Sequence, residues 1–328
     1  MSYAPAMTAT TQVRRALAGR SYLFSVLLLI IVVSINYALQ PNMFRPASLS
    51  GNLRTYLPLM LLAAGQAIIV IGGGIDLSIG AIVSLVNVII VRALGVDPSP
   101  GRIALAIALG LLAGTLAGAF NGLCAAYLRF QPIITTFATS FVFSGLALWV
   151  LPSPGGVVPP DLLRAYAANP LRIPLAIWVA ALVLLLWGAL RATRFGTYLY
   201  AVGGQPLSAY VTGVPVSLVR LASYSIGGLL AACGSLALTL NTGTGDPLVG
   251  GPMTLPSVVA VVIGGTRLSG GQGGIAGALI GVVVLRLLDS IISFANVPSW
   301  WQTFAQGMIV MVALAGPGLV ALVRGQRP

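Results

Sequence analysis

Three residue types are missing from this chain of 328 residues: lysine, glutamate and histidine. All 17 basic residues are arginine and all 5 acidic residues are aspartate. Without lysine there is no phosphate-binding G-x-x-x-x-G-K-[ST] loop, so the chain has no standard ATPase site. Without histidine or glutamate, histidine-containing triads, H-E-x-x-H metal sites and paired-glutamate acid–base chemistry are excluded. We therefore predict no catalytic, cofactor or metal site, and expect a chain that moves or holds something.

Charge of either sign is also scarce. Charged residues make up 7% of the chain and hydrophobic residues 58%, whereas a soluble domain averages roughly 25% charged residues. Apolar runs recur along the whole length, several of them near the roughly 20 residues that cross a bilayer as a helix. The composition predicts an all-α, polytopic helical membrane protein with about ten spans, some of them broken or re-entrant. The predicted spans are 21–39, 54–71, 77–93, 102–124, 132–151, 173–190, 218–240, 254–265, 273–294 and 302–323.

The arginines lie mainly between these apolar runs, which indicates membrane topology rather than nucleic-acid binding. With both termini in the cytoplasm, ten arginines fall in cytoplasmic segments and six in external ones, a modest positive-inside bias. Residues 1–20 and 324–328 are then cytoplasmic tails around one transmembrane domain, 21–323. Loop 152–172 is external and loop 191–217 cytoplasmic. A short helix predicted at 206–212, between glycine turns at Gly203-Gly204 and Gly213, suits docking of a partner.

A helix break is predicted at Gly72-Gly73-Gly74, between two apolar runs. Three successive glycines destabilise a helix, and an aspartate follows at position 76. A break next to a rare charge at membrane depth is typical of a functional interruption. Residues 262–269 weakly repeat the pattern and predict a second break at Gly264 and Gly265, as in transporters with duplicated halves.

Two readings of Asp76 remain open. It caps the following helix by accepting backbone N–H bonds, as Ser78 could also do, or it lies on a translocation path and bonds solute hydroxyls. Arg286 and Asp289, spaced i,i+3, are predicted to share a helix face. A charge at the bilayer centre costs at least about 2.5–3.5 kcal/mol, so they are expected to form a structural pair or to line a gate.

Five short segments, in this order, resemble the membrane permease subunits of bacterial ABC sugar importers of the ribose type. The segments are 73–80 (GGIDLSIG), 118–122 (GAFNG), 132–136 (PIITT), 193–196 with 201–205 (TRFG, AVGGQ), and 262–266 with 268–271 (VIGGT, LSGG). The resemblance covers roughly residues 50–320. The residues assigned on these grounds to the helix breaks and translocation pathway are Gly72, Gly73, Gly74, Asp76, Ser78, Asn121, Thr135, Thr136, Gly264 and Gly265.

The resemblance implies the ABC importer permease fold and a complex in the bacterial inner membrane. The complex would contain two permease chains, two cytoplasmic ATPase chains that bind ATP and magnesium, and a periplasmic solute-binding protein. The cargo would be a monosaccharide or similar small polar solute. The residues predicted to contact the ATPase are Phe195, Gly196, Gly203, Gly204, Gln205, Ser208, Ala209 and Gly213.

Two departures and two alternatives accompany this resemblance. Gln205 replaces the asparagine usual in the family, and Thr254-Leu255-Pro256-Ser257 stands where E-L-D-A is common, so two acids are lost. An ion- or proton-coupled secondary transporter would also contain broken helices, although few proton carriers are present. A non-transporting membrane scaffold would need neither broken helices nor a midplane aspartate.

Overall fold

The computed structural model describes residues 22–294 and, beyond them, residues 301, 304, 307, 308 and 311. Regular structure in this part of the chain is helical, with short 3-10 turns at Pro41–Phe44, Pro170–Arg172 and Gly251–Met253. The helices are α1 Tyr22–Leu39, α2 Pro46–Ile71, α3 Ile79–Leu94, α4 Pro100–Ala126, α5 Pro132–Val150, α6 Pro160–Tyr166, α7 Leu175–Ala192, α8 Arg194–Gly204, α9 Pro206–Val211, α10 Val216–Thr242, α11 Thr254–Ile263 and α12 Ile275–Phe294.

The all-helical class is confirmed, whereas the number of about ten spans is not. Six of the described helices, namely α2, α4, α5, α7, α10 and α12, are long and apolar enough to cross a membrane. Helix α11 has ten residues, too few to cross the hydrocarbon core at 1.5 Å per residue. The predicted span 302–323 falls largely outside the described residues, as do both terminal tails.

Helix α2 begins at Pro46, well before the predicted start at 54, and it contains Pro58. Proline has no N–H, so the carbonyl of Arg54, four residues earlier, loses its helical donor. The hydroxyl of Tyr166 on α6 donates to this carbonyl at 2.8 Å. Burial raises the pKa of the Tyr166 phenol, although nearby Arg54 opposes the shift, so the group stays protonated as a donor. Helix α6 therefore stabilises the proline-containing turn of α2.

The centre of the molecule is α10, which packs against α2, α3 and α4. The closest approach to α4 is glycine against glycine: a Cβ on Gly118 would lie 2.9 Å from the Cα of Gly228, and one on Gly114 would lie 2.9 Å from its carbonyl oxygen. Side chains at these positions would force the helices apart. Gly114 and Gly118 therefore place α4 directly on the backbone of α10, whereas Gly110 faces Ile90 on α3.

The loop between α5 and α6 contacts the segment that follows α10. Gly155 and Gly245 exchange two backbone hydrogen bonds, at 2.9 and 3.0 Å, and Val158 donates to the carbonyl of Gly243 at 3.0 Å. Asn87 on α3 is bonded to the same segment, because its Oδ1 accepts from the backbone N–H of Asp246 at 2.7 Å. Part of loop 152–172 is thereby fixed to the segment that follows α10.

Candidate functional site

The first predicted break is a Schellman motif at the end of α2. The N–H of Gly73 donates to the carbonyl of Val70 at 2.9 Å, and the N–H of Gly74 donates to that of Ile69 at 3.0 Å. Gly73 has φ +82°, a left-handed conformation in which a side chain is strained. These bonds satisfy carbonyl groups that have no helical donor at the end of α2, so the helix can end in the protein interior.

The second predicted break has the same geometry. The N–H of Gly265 donates to the carbonyl of Val262 at 2.9 Å, and the N–H of Thr266 donates to that of Val261 at 3.1 Å. Gly265 also has φ +82°. The similarity between the two segments is therefore structural: each ends a helix with the same pair of bonds and the same left-handed glycine.

Asp76 follows the first break and is fully buried. Its carboxylate oxygen Oδ1 accepts from the backbone N–H of Ser78 at 2.7 Å and from the Ser78 hydroxyl at 2.6 Å. The amide of Asn121 donates to Oδ2 at 3.4 Å and to the Ser78 hydroxyl at 2.7 Å. The carboxylate is thus surrounded by hydrogen-bond donors, and no ion pair to it is present in the described part of the chain.

The predicted capping role of Asp76 is wrong in its geometry. The N-cap of α3 is Ser78, two residues later, and its side chain makes no capping bond. Instead Asp76 forms a turn with its own backbone two residues on, a local bond available to the short Asp side chain. The alternative of contact with a passing solute has no support in this conformation, because the side chain is not accessible.

The threonines of α5 hold the other side of this network. The Thr139 hydroxyl donates to Asn121 Oδ1 at 2.7 Å. The Thr136 oxygen accepts from the backbone N–H of Leu77 at 3.0 Å. Asp76, Ser78, Asn121 and Thr136 therefore lie together, whereas the Thr135 hydroxyl bonds back to Gln131 in its own helix.

Gln66 and Tyr224 also belong to the network, although the sequence did not identify them. The Gln66 amide faces the Asp76 backbone in the orientation that satisfies both groups, donating to its carbonyl at 3.2 Å and accepting from its N–H at 3.1 Å. The Tyr224 hydroxyl lies 3.3 Å from the Ile75 carbonyl oxygen. Gln66 is the one polar side chain in the run 57–71, which is a detectable signal, whereas Tyr224 offers none.

The loop predicted at the cytoplasmic face contains two helices, α8 and α9. The second confirms the predicted short helix, and Gly213 is a left-handed turn with φ +84°. The predicted turn at Gly203-Gly204 is wrong, because these are the last two residues of α8. Gln205 alone, with φ −147°, separates the two helices. We call residues 194–213 the α8–α9 segment.

Gly203 lies at the point where the α8–α9 segment meets both breaks. A Cβ on Gly203 would overlap the Ile71 carbonyl oxygen and would lie 2.6 Å from the backbone nitrogen of Gly271. The same nitrogen donates to the Ile71 carbonyl at 2.9 Å. A Cβ on Gly270 would be 2.9 Å from the Cα of Gly73. We call this backbone contact of Ile71, Gly73, Gly203, Gly270 and Gly271 the glycine junction.

A side chain adds a second link between α8 and the loop that follows the second break. The Tyr200 hydroxyl donates to the carbonyl of Gly273 at 2.7 Å. The Arg191 guanidinium lies over the Tyr200 ring, 5.5 Å from its centroid, a cation–π distance. The loop after the second break is therefore linked to α8 by this hydrogen bond as well as by the glycine junction.

The residues predicted to contact an ATPase divide into two groups. Gly196, Gly203 and Ala209 are buried in the chain, and Phe195 is partly buried against the core. Gly204, Gln205, Ser208 and Gly213 are exposed. The sequence did not indicate the exposed apolar side chains of α9. These are Leu207, Tyr210 and Val211, which are 76%, 68% and 77% exposed.

Arg286 and Asp289 pair on α12, with 3.4 Å between Nη1 and Oδ2. This confirms that they share a helix face, and about a third of each side chain is exposed in the single chain. Gly264 packs against Gly277 of the same helix, where a Cβ would meet backbone. No cluster of three potential metal-ligating side chains occurs among the described residues.

Residues 48–314 match the family described as branched-chain amino acid transport system, permease component. The chain is 35% identical over 293 residues to the ribose import permease of Bacillus subtilis strain 168, covering 88% of each chain. It is 31% identical to the fructose import permease of Bifidobacterium longum, over 93% of this chain and 92% of the relative. It is 32% identical to an autoinducer 2 import permease of Klebsiella pneumoniae, with 94% and 89% covered. No solved structure is significantly similar to the chain.

Proposed function

The chain belongs to the family of ABC-importer permease components, and from that premise we propose that it carries a monosaccharide or similar small polar solute into a bacterial cell. It is a multi-pass membrane subunit with at least six apolar helices in its described part. The proposal places it in the inner membrane with both termini in the cytoplasm. Loop 152–172 then faces the periplasm and the α8–α9 segment faces the cytoplasm.

The substrate class rests on the relatives. The family description names branched-chain amino acids, whereas the relatives described above are named as ribose, fructose and autoinducer 2 import permeases. A hydroxylated solute therefore fits better than an apolar amino acid. Thr254 and Pro256, which replace the two acids, lie in the first turn of α11, and Thr254 lies beside Gly80 at the start of α3. This member would therefore recognise its solute or its binding protein differently there.

The energy would come from ATP and magnesium bound by two separate ATPase subunits, because this chain has no lysine for a phosphate-binding loop. A second permease chain, the same or a paralogue, would complete the pathway, and a periplasmic binding protein would deliver the solute. In this arrangement the ATPase pushes on the α8–α9 segment when ATP closes its dimer.

The glycine junction is the observation that carries the coupling proposal. Gly203, at the end of α8, touches the end of α2 and the loop after α11 through backbone atoms. No flexible side chain intervenes, so a shift of α8 is passed on at full amplitude, as expected for close-packed interiors. An inward push on α9 would therefore move both helix breaks together.

The decisive functional test is purification of the chain with its neighbours, followed by ATPase measurements in proteoliposomes. We expect an ATPase to co-purify and its hydrolysis rate to rise when the solute-loaded binding protein is added. We also expect uptake to continue when ionophores collapse the sodium and proton gradients. Uptake that needs such a gradient and no ATP would refute the proposal.

Cross-linking tests the docking surface separately. In a variant with Cys124 and Cys233 replaced by alanine, single cysteines at Leu207 or Ser208 should cross-link to the ATPase because both positions are exposed. A cysteine at Ala209 is the matched control, since this neighbour is 5% exposed and points into the chain. Equal cross-linking at all three positions, or none in an active complex, would contradict docking through this face of α9.

A further inference from the structure

A cavity of about 530 Å³ lies beside the α8–α9 segment, where the ends of three membrane helices meet. Its walls are the last residues of α4, the turn before α5, the start of α9 and the start of α10. Because α4 ends at Ala126, α5 begins at Pro132 and α10 begins at Val216, the cavity lies at the level of one membrane surface. In the proposed orientation this is the cytoplasmic surface.

Two arginines, Arg129 and Arg220, line this cavity together with Gln131, Ser217 and Tyr210. The lining contains no carboxylate, and the two ion pairs of the described residues lie elsewhere, on α6 and α12. Arginine presents a planar set of donors that suits phosphate in a bidentate manner. The cavity is therefore electropositive and provides hydrogen-bond donors without an acidic partner among the described residues.

The position of Arg129 is set by the backbone. The turn after α4 closes with bonds from Leu128 N–H to the Leu123 carbonyl at 3.2 Å and from Phe130 N–H to the Cys124 carbonyl at 3.2 Å. Arg129 between them has φ +57°, a left-handed conformation that is uncommon for residues other than glycine. The turn thus holds Arg129 at the rim of the cavity.

The surface next to the cavity is apolar and exposed. Leu128 and Phe130 on the turn are 53% and 56% exposed, and Ile134 on the first turn of α5 is 63% exposed. A free phosphate would make no apolar contact with these side chains. The acyl chains of a phospholipid would lie along them while its headgroup occupied the cavity. Basic pockets between membrane helices on the cytoplasmic side have this composition.

We propose that this cavity binds the phosphate headgroup of an anionic phospholipid of the cytoplasmic leaflet, through Arg129 and Arg220. The proposal depends on the orientation given under Proposed function. A bound lipid would brace the turn before α5 against the start of α9, next to the surface that would meet the ATPase. The order of the α8–α9 segment would then depend on the lipid composition of the membrane.

Native mass spectrometry of the purified importer complex would measure the retained lipid, with phosphatidylglycerol and phosphatidylcholine supplied in equal amounts. We expect selective retention of phosphatidylglycerol. In the double variant R129Q/R220Q the affinity should fall by roughly 30-fold, since each cationic side chain near an anionic surface contributes about a factor of five. R194Q is the matched control, because this arginine is exposed on α8 and does not line the cavity.

Four results would overturn the proposal: equal retention of both lipids, unchanged retention in the double variant, an equal loss in R194Q, or displacement of the lipid by millimolar inorganic phosphate. Retention by the permease alone but not by the complex with its ATPase would assign the cavity to the protein interface instead, and would also overturn the proposal.

If the double variant fails to assemble, R129K/R220K keeps the charge but loses the bidentate geometry, and we expect a partial loss of lipid affinity. Retention is measured without transport, so failure of this test leaves the proposed function standing.

Discussion

Replacing Gly203 by alanine tests the glycine junction directly. The new Cβ would lie 2.6 Å from the Gly271 nitrogen and 2.8 Å from the Ile71 carbonyl carbon, and all of the opposing atoms are backbone. Because backbone cannot rotate away as a side chain can, α8 must separate from the two breaks. Overpacking of this kind costs about 1–3 kcal/mol, and the loss of the bond from the Gly271 N–H to the Ile71 carbonyl would add about 1 kcal/mol.

The neighbouring glycine is a control of the same chemistry. A Cβ on Gly204 would have its nearest neighbour 3.9 Å away, at the Cα of Gly271, which is ordinary van der Waals contact. G204A and G203A make the same change in the last turn of one helix, so helix propensity affects both equally. Any difference between them reports the junction.

The measurements are melting temperature in detergent, basal ATPase activity and the stimulation of ATPase activity by loaded binding protein. We expect G203A to melt at a lower temperature and to lose stimulation and uptake, while the complex still assembles and retains basal hydrolysis. G204A should match the wild-type protein in all three. Wild-type melting and uptake in G203A would refute the close backbone contact, and loss of assembly in both variants would refute the assignment of the effect to the junction.

Two further predictions concern hydrogen bonds. N121A removes the amide that bonds to buried Asp76 and leaves polar groups unsatisfied. The free energy of unfolding should therefore fall by about 2–4 kcal/mol, which thermal melting would measure. An unchanged melting temperature would contradict the network. Y166F should lower the free energy of unfolding by about 1–3 kcal/mol, because the Arg54 carbonyl loses its donor. This loss should shrink when Pro58 is also replaced by alanine, which restores a helical N–H. Equal losses in both backgrounds would show that the hydroxyl does not compensate for the proline.

Much of the helical framework was predictable because each membrane helix has to be apolar over most of its length. Helix α8 was the main omission. Its terminal Gly203-Gly204 looks like a turn, since glycine usually interrupts helices. In the structure the backbone of Gly203 instead contacts the backbone of other segments, and that role depends on partners 67 or more residues away.

The candidate site was predictable to the extent that its signals are local. A glycine run, a rare aspartate and an asparagine in an apolar helix are visible in the sequence. Thr139, which bonds to Asn121, and Tyr224, which bonds to the Ile75 carbonyl, depend on how α5 and α10 pack, which no local pattern encodes. The capping role predicted for Asp76 failed for a related reason, because a side chain two residues before the N-cap can bond to its own turn.

The relative strength of the two sets of contacts indicates which part of the first break would move. On one side, Asp76 is joined to α4 through Asn121 and the adjacent backbone is joined to α5 through Thr136. These bonds are buried, and breaking them without replacement costs several kcal/mol per group in a membrane interior. On the other side, the glycine junction consists of van der Waals contact and one backbone bond between Gly271 and Ile71. Because this contact is backbone against backbone, we expect Gly73 to move with α8, whereas Asp76, which follows the break, stays with α4 and α5.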